Sequence, residues 1–238
     1  LIWILLPKRG NSNHEERITL MERFLELFGR ERIAMLLADR EFVGIQWVDW
    51  LCNEKIPFVI RIRNDARLRR NGRDKGIHAR NHFRHLPLNQ SHHLGLRFVY
   101  GRKLNISGMR ITGRDTHVIV ISSGVEPEKA ITHYARRWEI ETLFGCLKSR
   151  GFDLEATHMS DPAKIGKLVG ILGIAFVWAY QMGEWLNVIQ PIKIKKHGRR
   201  AKSLFRHGLD YLGELLMHWF LPGNKRRLRH ALQFLACT

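Results

Sequence analysis

Four residues between positions 134 and 148 are of types that do phosphate chemistry: Tyr134, Arg137, Glu141 and Lys148. On a continuous helix turning about 100° per residue, the last three fall about 60°, 20° and 40° to one side of Tyr134. All four then share an arc of about 60° over a length of about 21 Å. A carboxylate is a hard oxygen ligand for Mg²⁺, and a phenol and two cations beside it suit phosphate oxygens. The face therefore has the parts of a metal-dependent phosphoryl-transfer site on DNA. It also has the parts of a solvated face laced with ion pairs, since Arg137 and Glu141 stand at i,i+4. Asp39 is a further candidate. It follows an uninterrupted apolar run, residues 33–38, and ligands of open α/β sheets bind beyond the carboxyl ends of strands. An aspartate there suits the N-cap of a following helix equally well.

These residues need elements to hold them. Ser12 with Glu15 forms a capping-box pattern, and Ile18, Met21, Leu25 and Phe28 recur at helical spacing, predicting a helix over 12–28. Residues 33–38 read as a central strand covered on both faces. Residues 41–55 read as a helix with Ile45, Val48, Leu51 and Cys52 inward, and 57–63 as a second strand, which together make a βαβ unit. Residues 64–115 are rich in Arg, His, Asn and Gly and read as a β-rich insertion. A buried strand over 116–122 precedes one long helix from 126 or 127 to about 149. An apolar helix follows over 164–187. Its sixteen-residue stretch 168–183 is about 24 Å long, short for a membrane core of about 30 Å, and reads as a buried core helix. The end of the chain carries Lys193 to Arg200, a helix over 201–220 and the basic run Lys225 to Arg229.

Composition sets the class of partner. The 238 residues hold 40 Lys+Arg against 22 Asp+Glu, a net charge of +18, with 45% hydrophobic residues. That is a folded chain made to meet a polyanion. Cys52, Cys146 and Cys237 are far apart with no CxxC, which argues against a thiolate zinc site and fits a reducing cytoplasm. His78, His82, His85, His92 and His93 are interleaved with Arg80 and Arg84, so a basic, nucleic-acid-facing surface is the better reading than a metal site. No basic segment precedes the apolar run 1–6, so a signal peptide is not expected; a start without Met, inside a strand-like run, suggests a piece of a longer protein.

Tyr134, Arg137, Glu141 and Lys148 satisfy the pattern Y-x2-R-x3-E-x6-K at every position. In this the chain resembles the bacterial DDE transposases of insertion-sequence family four, and Asp39-Arg40-Glu41 after a buried strand resembles that family's second catalytic block. The resemblance implies an α/β, ribonuclease-H-like fold, incomplete at its N-terminus. Residues 1–63 and 116–190 would form the catalytic core, 64–115 a β-rich insertion and 191–238 a basic helical region. It implies DNA strand cleavage and transfer with two Mg²⁺ (or Mn²⁺) ions. Asp39 and Glu141 would be catalytic metal ligands, and Tyr134, Arg137, Lys148 and Arg40 would contact DNA. The partners implied are transposon ends and target DNA, with a homodimer in the parent complex, a cytoplasmic bacterial setting and no membrane. The family's first catalytic Asp lies upstream of its second block, and no Asp precedes Asp39 here. The expectation is an N-terminally truncated catalytic domain that is inactive alone, or a DNA-binding relic.

Overall fold

The computed structural model describes residues 6, 8, 10–71, 73–113 and 116–236. The strand expected over 1–6, apart from Leu6, lies outside the described residues, as do Asp115 and Cys237. The chain forms two compact units that divide between Glu139 and Ile140.

The first unit opens with α1 (His14–Phe28). Its capping box is one residue later than the sequence suggests. Asn13 Oδ1 accepts from the Glu16 N–H at 2.9 Å, and Glu16 Oε2 accepts from the Asn13 N–H at 2.8 Å. Ser12 instead takes the Arg17 guanidinium at 3.0 Å. Then come β1 (Leu36–Ala38), α2 (Ile45–Asn53) and β2 (Phe58–Arg61), with β1 and β2 parallel as a βαβ unit requires. The short strands β3 (Arg67–Leu68) and β4 (Ile77–His78) form a separate ladder before α3 (Ala79–Phe83). The hairpin β5 (Ser91–Val99) and β6 (Arg102–Arg110) leads to β7 (His117–Ser123) and then α4 (Ala130–Ala135).

The five-stranded sheet has the order β1-β2-β7-β6-β5, and every pair except β1–β2 is antiparallel. The architecture is mixed α/β with a mainly antiparallel sheet. Among the described residues β1 is an edge strand, not the central strand expected, and Leu36 and Leu37 are only half-buried. The doubly covered strands are β2 and β7. Phe58, Ile60, Ile119 and Ile121 face a core closed by Trp47, Val48 and Leu51 of α2 and Phe83 of α3, while Val59 and Val120 face Ala130, Ile131 and Tyr134 of α4. Helix α2 is shorter than expected, and Ile45 at its first turn points to solvent. On β6, Gly108 leaves room for the Phe83 ring, which any Cβ there would strike.

The long helix expected over 126–149 is not continuous. A 3-10 turn at Pro127–Lys129 precedes α4, and α5 (Trp138–Leu147) starts afresh after Arg136 and Arg137. The Arg136 N–H bonds to the His133 carbonyl, Arg137 to Tyr134 and Glu139 to Arg136. Those are i→i+3 bonds, so the α-helical ladder lapses there, and the rotation counted from Tyr134 to Glu141 does not carry across it.

The second unit holds α6 (Pro162–Ile189), α7 (Leu204–Met217) and α8 (Asn224–Ala236). Asp161 caps α6 through the Ala163 and Lys164 N–H groups, with Pro162 in the first turn where its missing N–H costs nothing. The helix has 28 residues and is long and apolar enough to cross a membrane by length and composition. The expectation of a buried core helix holds only for its C-terminal half. Ala179, Met182, Gly183 and Leu186 are buried, whereas Ile171, Ile174 and Val177 are exposed, because α7 and α8 cover only the later turns.

Backbones meet where α6 crosses α7. A Cβ on Gly183 would collide with the Leu204 carbonyl oxygen, and one on Gly208 with that of Ala179. Gly208→Ala should therefore force the helices apart and destabilise this unit by roughly 1–3 kcal/mol, as overpacking does. Thermal unfolding should show the loss, and an unchanged midpoint would refute so close a crossing.

Candidate active site

Asp39 stands one residue beyond β1, at the carboxyl end of the parallel pair β1–β2. It is not a helix N-cap, since α2 begins at Ile45 and its cap position is Gly44. Its carbonyl accepts the Phe42 N–H at 2.9 Å, which turns the chain away from the sheet. Its Oδ1 accepts two bonds, from the Arg40 N–H at 2.7 Å and from the Tyr134 hydroxyl at 3.2 Å.

The second bond joins residues 95 positions apart. It exists because α4 packs on the sheet face made by Val59 and Val120, which buries the Tyr134 ring to 5% exposure and leaves its hydroxyl at the strand end. Burial pushes the Tyr134 phenol above its ordinary value, and the neighbouring Asp39 charge adds to this; Arg137 and Arg61 pull the other way. The phenol keeps its proton at neutral pH and serves as a donor. The Arg137 guanidinium lies 5.7 Å from the centre of the Tyr134 ring and 5.3 Å from that of Trp138, between two aromatic faces. Arg40 lines an open cavity of about 510 Å³ with Glu41, Arg63, Asn64, Asp65 and Arg80.

The structure thus brings together Asp39, Tyr134 and Arg137, with Arg40 beside them. Glu141, on α5, and Lys148, just after it, belong to the second unit. Both are exposed, and the Lys148 ammonium pairs with Glu155 at 2.8 Å. Arg61, at the end of β2, acts on Tyr134 through its charge, and Arg63 and Arg80 line the cavity; none of the three belongs to the sequence pattern. The alternation of Arg61 and Arg63 just past an apolar strand was the available signal. Among the described residues no group of three His, Cys, Asp or Glu side chains is placed to hold a metal ion. The histidines of 78–93 are dispersed: His78 meets the Asp65 carbonyl, while His93 meets Asn105 and Glu128. Asp39 offers a carboxylate at a strand end, beside a phenol that can orient it, and a carboxylate oxygen is of the type that hard cations take.

Tyr134→Phe should cost roughly 1 kcal/mol at neutral pH, the worth of one hydrogen bond, in urea unfolding. The raised phenol also has a pH signature. Above pH ~10 the folded chain holds this proton more tightly than the unfolded chain, so its contribution is lost as pH rises through the folded value. Tyr134→Phe should flatten that alkaline loss; an identical alkaline profile would mean that the phenol is not shielded.

The family model described as "Transposase DDE domain" matches residues 2–178. A search of curated proteins finds no match.

Proposed function

Because the chain belongs to the transposase DDE domain family, we propose that it is part of a DNA-cutting and strand-transferring enzyme of the insertion-sequence family four type, built on a ribonuclease-H-like core. The observation that supports this most is the bond from Tyr134 to Asp39. It ties the first residue of the Y-x2-R-x3-E-x6-K signature to the aspartate after the strand, two features that the sequence offers separately.

Asp39 and Glu141 are the proposed metal ligands, and Tyr134, Arg137, Lys148 and Arg40 the proposed DNA contacts. Two Mg²⁺ or Mn²⁺ ions, when bound, would supply Lewis acidity at the attacking and leaving oxygens. The protein residues position. Tyr134, protonated, donates to the Asp39 carboxylate and limits its rotation. Arg137, held between two rings, offers a planar fork of donors to a phosphate. Arg40 extends the cationic surface toward Arg63 and Arg80. Lys148 meets a phosphate by giving up Glu155, at little cost, since both side chains are more than half exposed and such pairs contribute about 0–1 kcal/mol.

The family's chemistry uses three carboxylates, and no aspartate precedes Asp39 in the sequence. That favours a second reading of residues 1–238 by themselves, namely DNA binding without cutting. A nicking assay in Mg²⁺ on DNA bearing the element's ends separates the two. These 238 residues should cut at least about a thousandfold more slowly than a longer chain that adds an upstream aspartate-bearing strand, the cost of a lost metal ligand. Asp39→Asn or Glu141→Gln should abolish cutting by the longer chain. Equal cutting by both chains, or full activity of either variant, would overturn the assignment. Binding is tested separately by salt titration. Arg137→Ala and Lys148→Ala should each reduce the slope of log affinity against log salt by about one. Unchanged slopes would remove these two from the DNA contacts.

A further inference from the structure

The family match ends at residue 178, inside α6, and leaves α7 and α8 without an assigned role. Residues 191–238 carry eleven lysines and arginines against two acids, Asp210 and Glu214. Both acids already face cations: Asp210 meets Lys202 at 3.3 Å and Arg206 at 2.7 Å, and Glu214 lies 3.9 Å from Arg227. Four of the eleven, Lys225, Arg226, Arg227 and Arg229, are on α8. Ala231 and Leu235 are buried against Met182, Leu186 and Leu215, and that anchoring turns the opposite face outward. Arg226, Arg229 and Gln233 lie on that face and, with Arg227 and His230 on its flank, line an open cavity of about 420 Å³; all five are exposed.

The cavity is built from guanidiniums on a rigid support. Arg226, Arg229 and Gln233 recur at i, i+3 and i+7, spanning about 10 Å along the helix. That is the axial length of about three nucleotides of one strand. The Arg227 guanidinium lies over the Tyr211 ring at 5.1 Å, and its Nη1 donates to Asn224 Oδ1 at 3.2 Å. His230 packs edge-on to Trp185 at 5.9 Å. Asn224 is itself buried and donates to the His218 carbonyl at 3.0 Å, which fixes the turn between α7 and α8. Forked donors at helical spacing match phosphodiester oxygens better than they match isolated anions.

We infer that the outer face of α8, centred on Arg226 and Arg229, is a second docking surface for the DNA backbone, apart from the one around Asp39 and Tyr134. The ligand class rests on the DNA reading above; the position of the surface does not. Phosphate contacts of this kind add affinity without reading sequence. They would let the second unit hold flanking duplex whatever its bases.

The test is salt titration of duplex binding by the full chain, comparing unaltered protein, Arg226→Gln/Arg229→Gln and Arg137→Ala. Both arginines of the double variant are exposed, so its circular dichroism and melting temperature should match the unaltered protein. Its slope of log affinity against log salt should fall by about two, with equal loss on unrelated duplexes. A slope unchanged in the double variant but lowered in Arg137→Ala would overturn the second surface and leave the proposed function standing. Salt-independent binding by the unaltered chain would overturn the DNA reading itself. Vesicles rich in anionic lipid form the last arm, because Trp219 and Phe220 are exposed beside α8, with the Lys225 ammonium 5.4 Å from the Trp219 ring. Vesicle binding lost in the double variant while duplex binding persists would assign the face to a membrane surface and refute the inference.

Discussion

Side chains alternate along β2 and β7, and both sets are buried. Phe58, Ile60, Ile119 and Ile121 face one core, and Val59 and Val120 face the other. A slip of one residue in either strand would exchange the two sets, so the register Ile60↔Ile121 is held from both sides. Everything near Asp39 depends on it. The valine face docks α4 through Ala130 and Ile131, α4 carries Tyr134, and Tyr134 reaches back to the end of β1. The opposite face anchors α2, which closes the βαβ unit and places Asp39 at the carboxyl edge.

Charge is distributed with the same economy. At +18 the chain repels itself, and many of its few acids sit where they answer specific donors. Asp49 takes the Arg102 guanidinium, whose hydrogen bond holds its carboxyl below the usual range. Asp74 accepts the Arg70, Asn71 and Gly76 N–H groups and closes the turn between β3 and β4. Asp39 accepts a backbone N–H, from Arg40, and the Tyr134 phenol.

The second unit is organised by close backbone approach. Gly183 and Gly208 let α6 and α7 touch, and the core of Met182, Leu186 and Leu215 then receives Ala231 and Leu235 of α8. Once that stripe is buried, geometry alone sends the arginines of α8 outward. The aromatic residues Tyr211 and Trp185 stand under this helix and support Arg227 and His230.

Local chemistry was legible in the amino-acid order. A capping residue three positions before a glutamate marked the start of α1, misplaced by one because Ser12 and Asn13 are both good caps and only the Arg17 contact decides between them. Apolar runs marked β1, β2 and β7, and the spacing of Tyr134, Arg137, Glu141 and Lys148 marked the chemistry to look for. Tertiary structure alone decided the rest. Neither glycine nor proline announces the lapse in the helix at Arg136 and Arg137, which is written only in its i→i+3 bonds. Which strand takes the other side of β2 is not written locally, since that strand, β7, lies some sixty residues away. The bond between Tyr134 and Asp39 is longer-range still. Periodicity and caps act within a few turns and are carried by the local sequence, whereas strand partners and cross-chain hydrogen bonds are settled by competition among distant segments for the same buried surface.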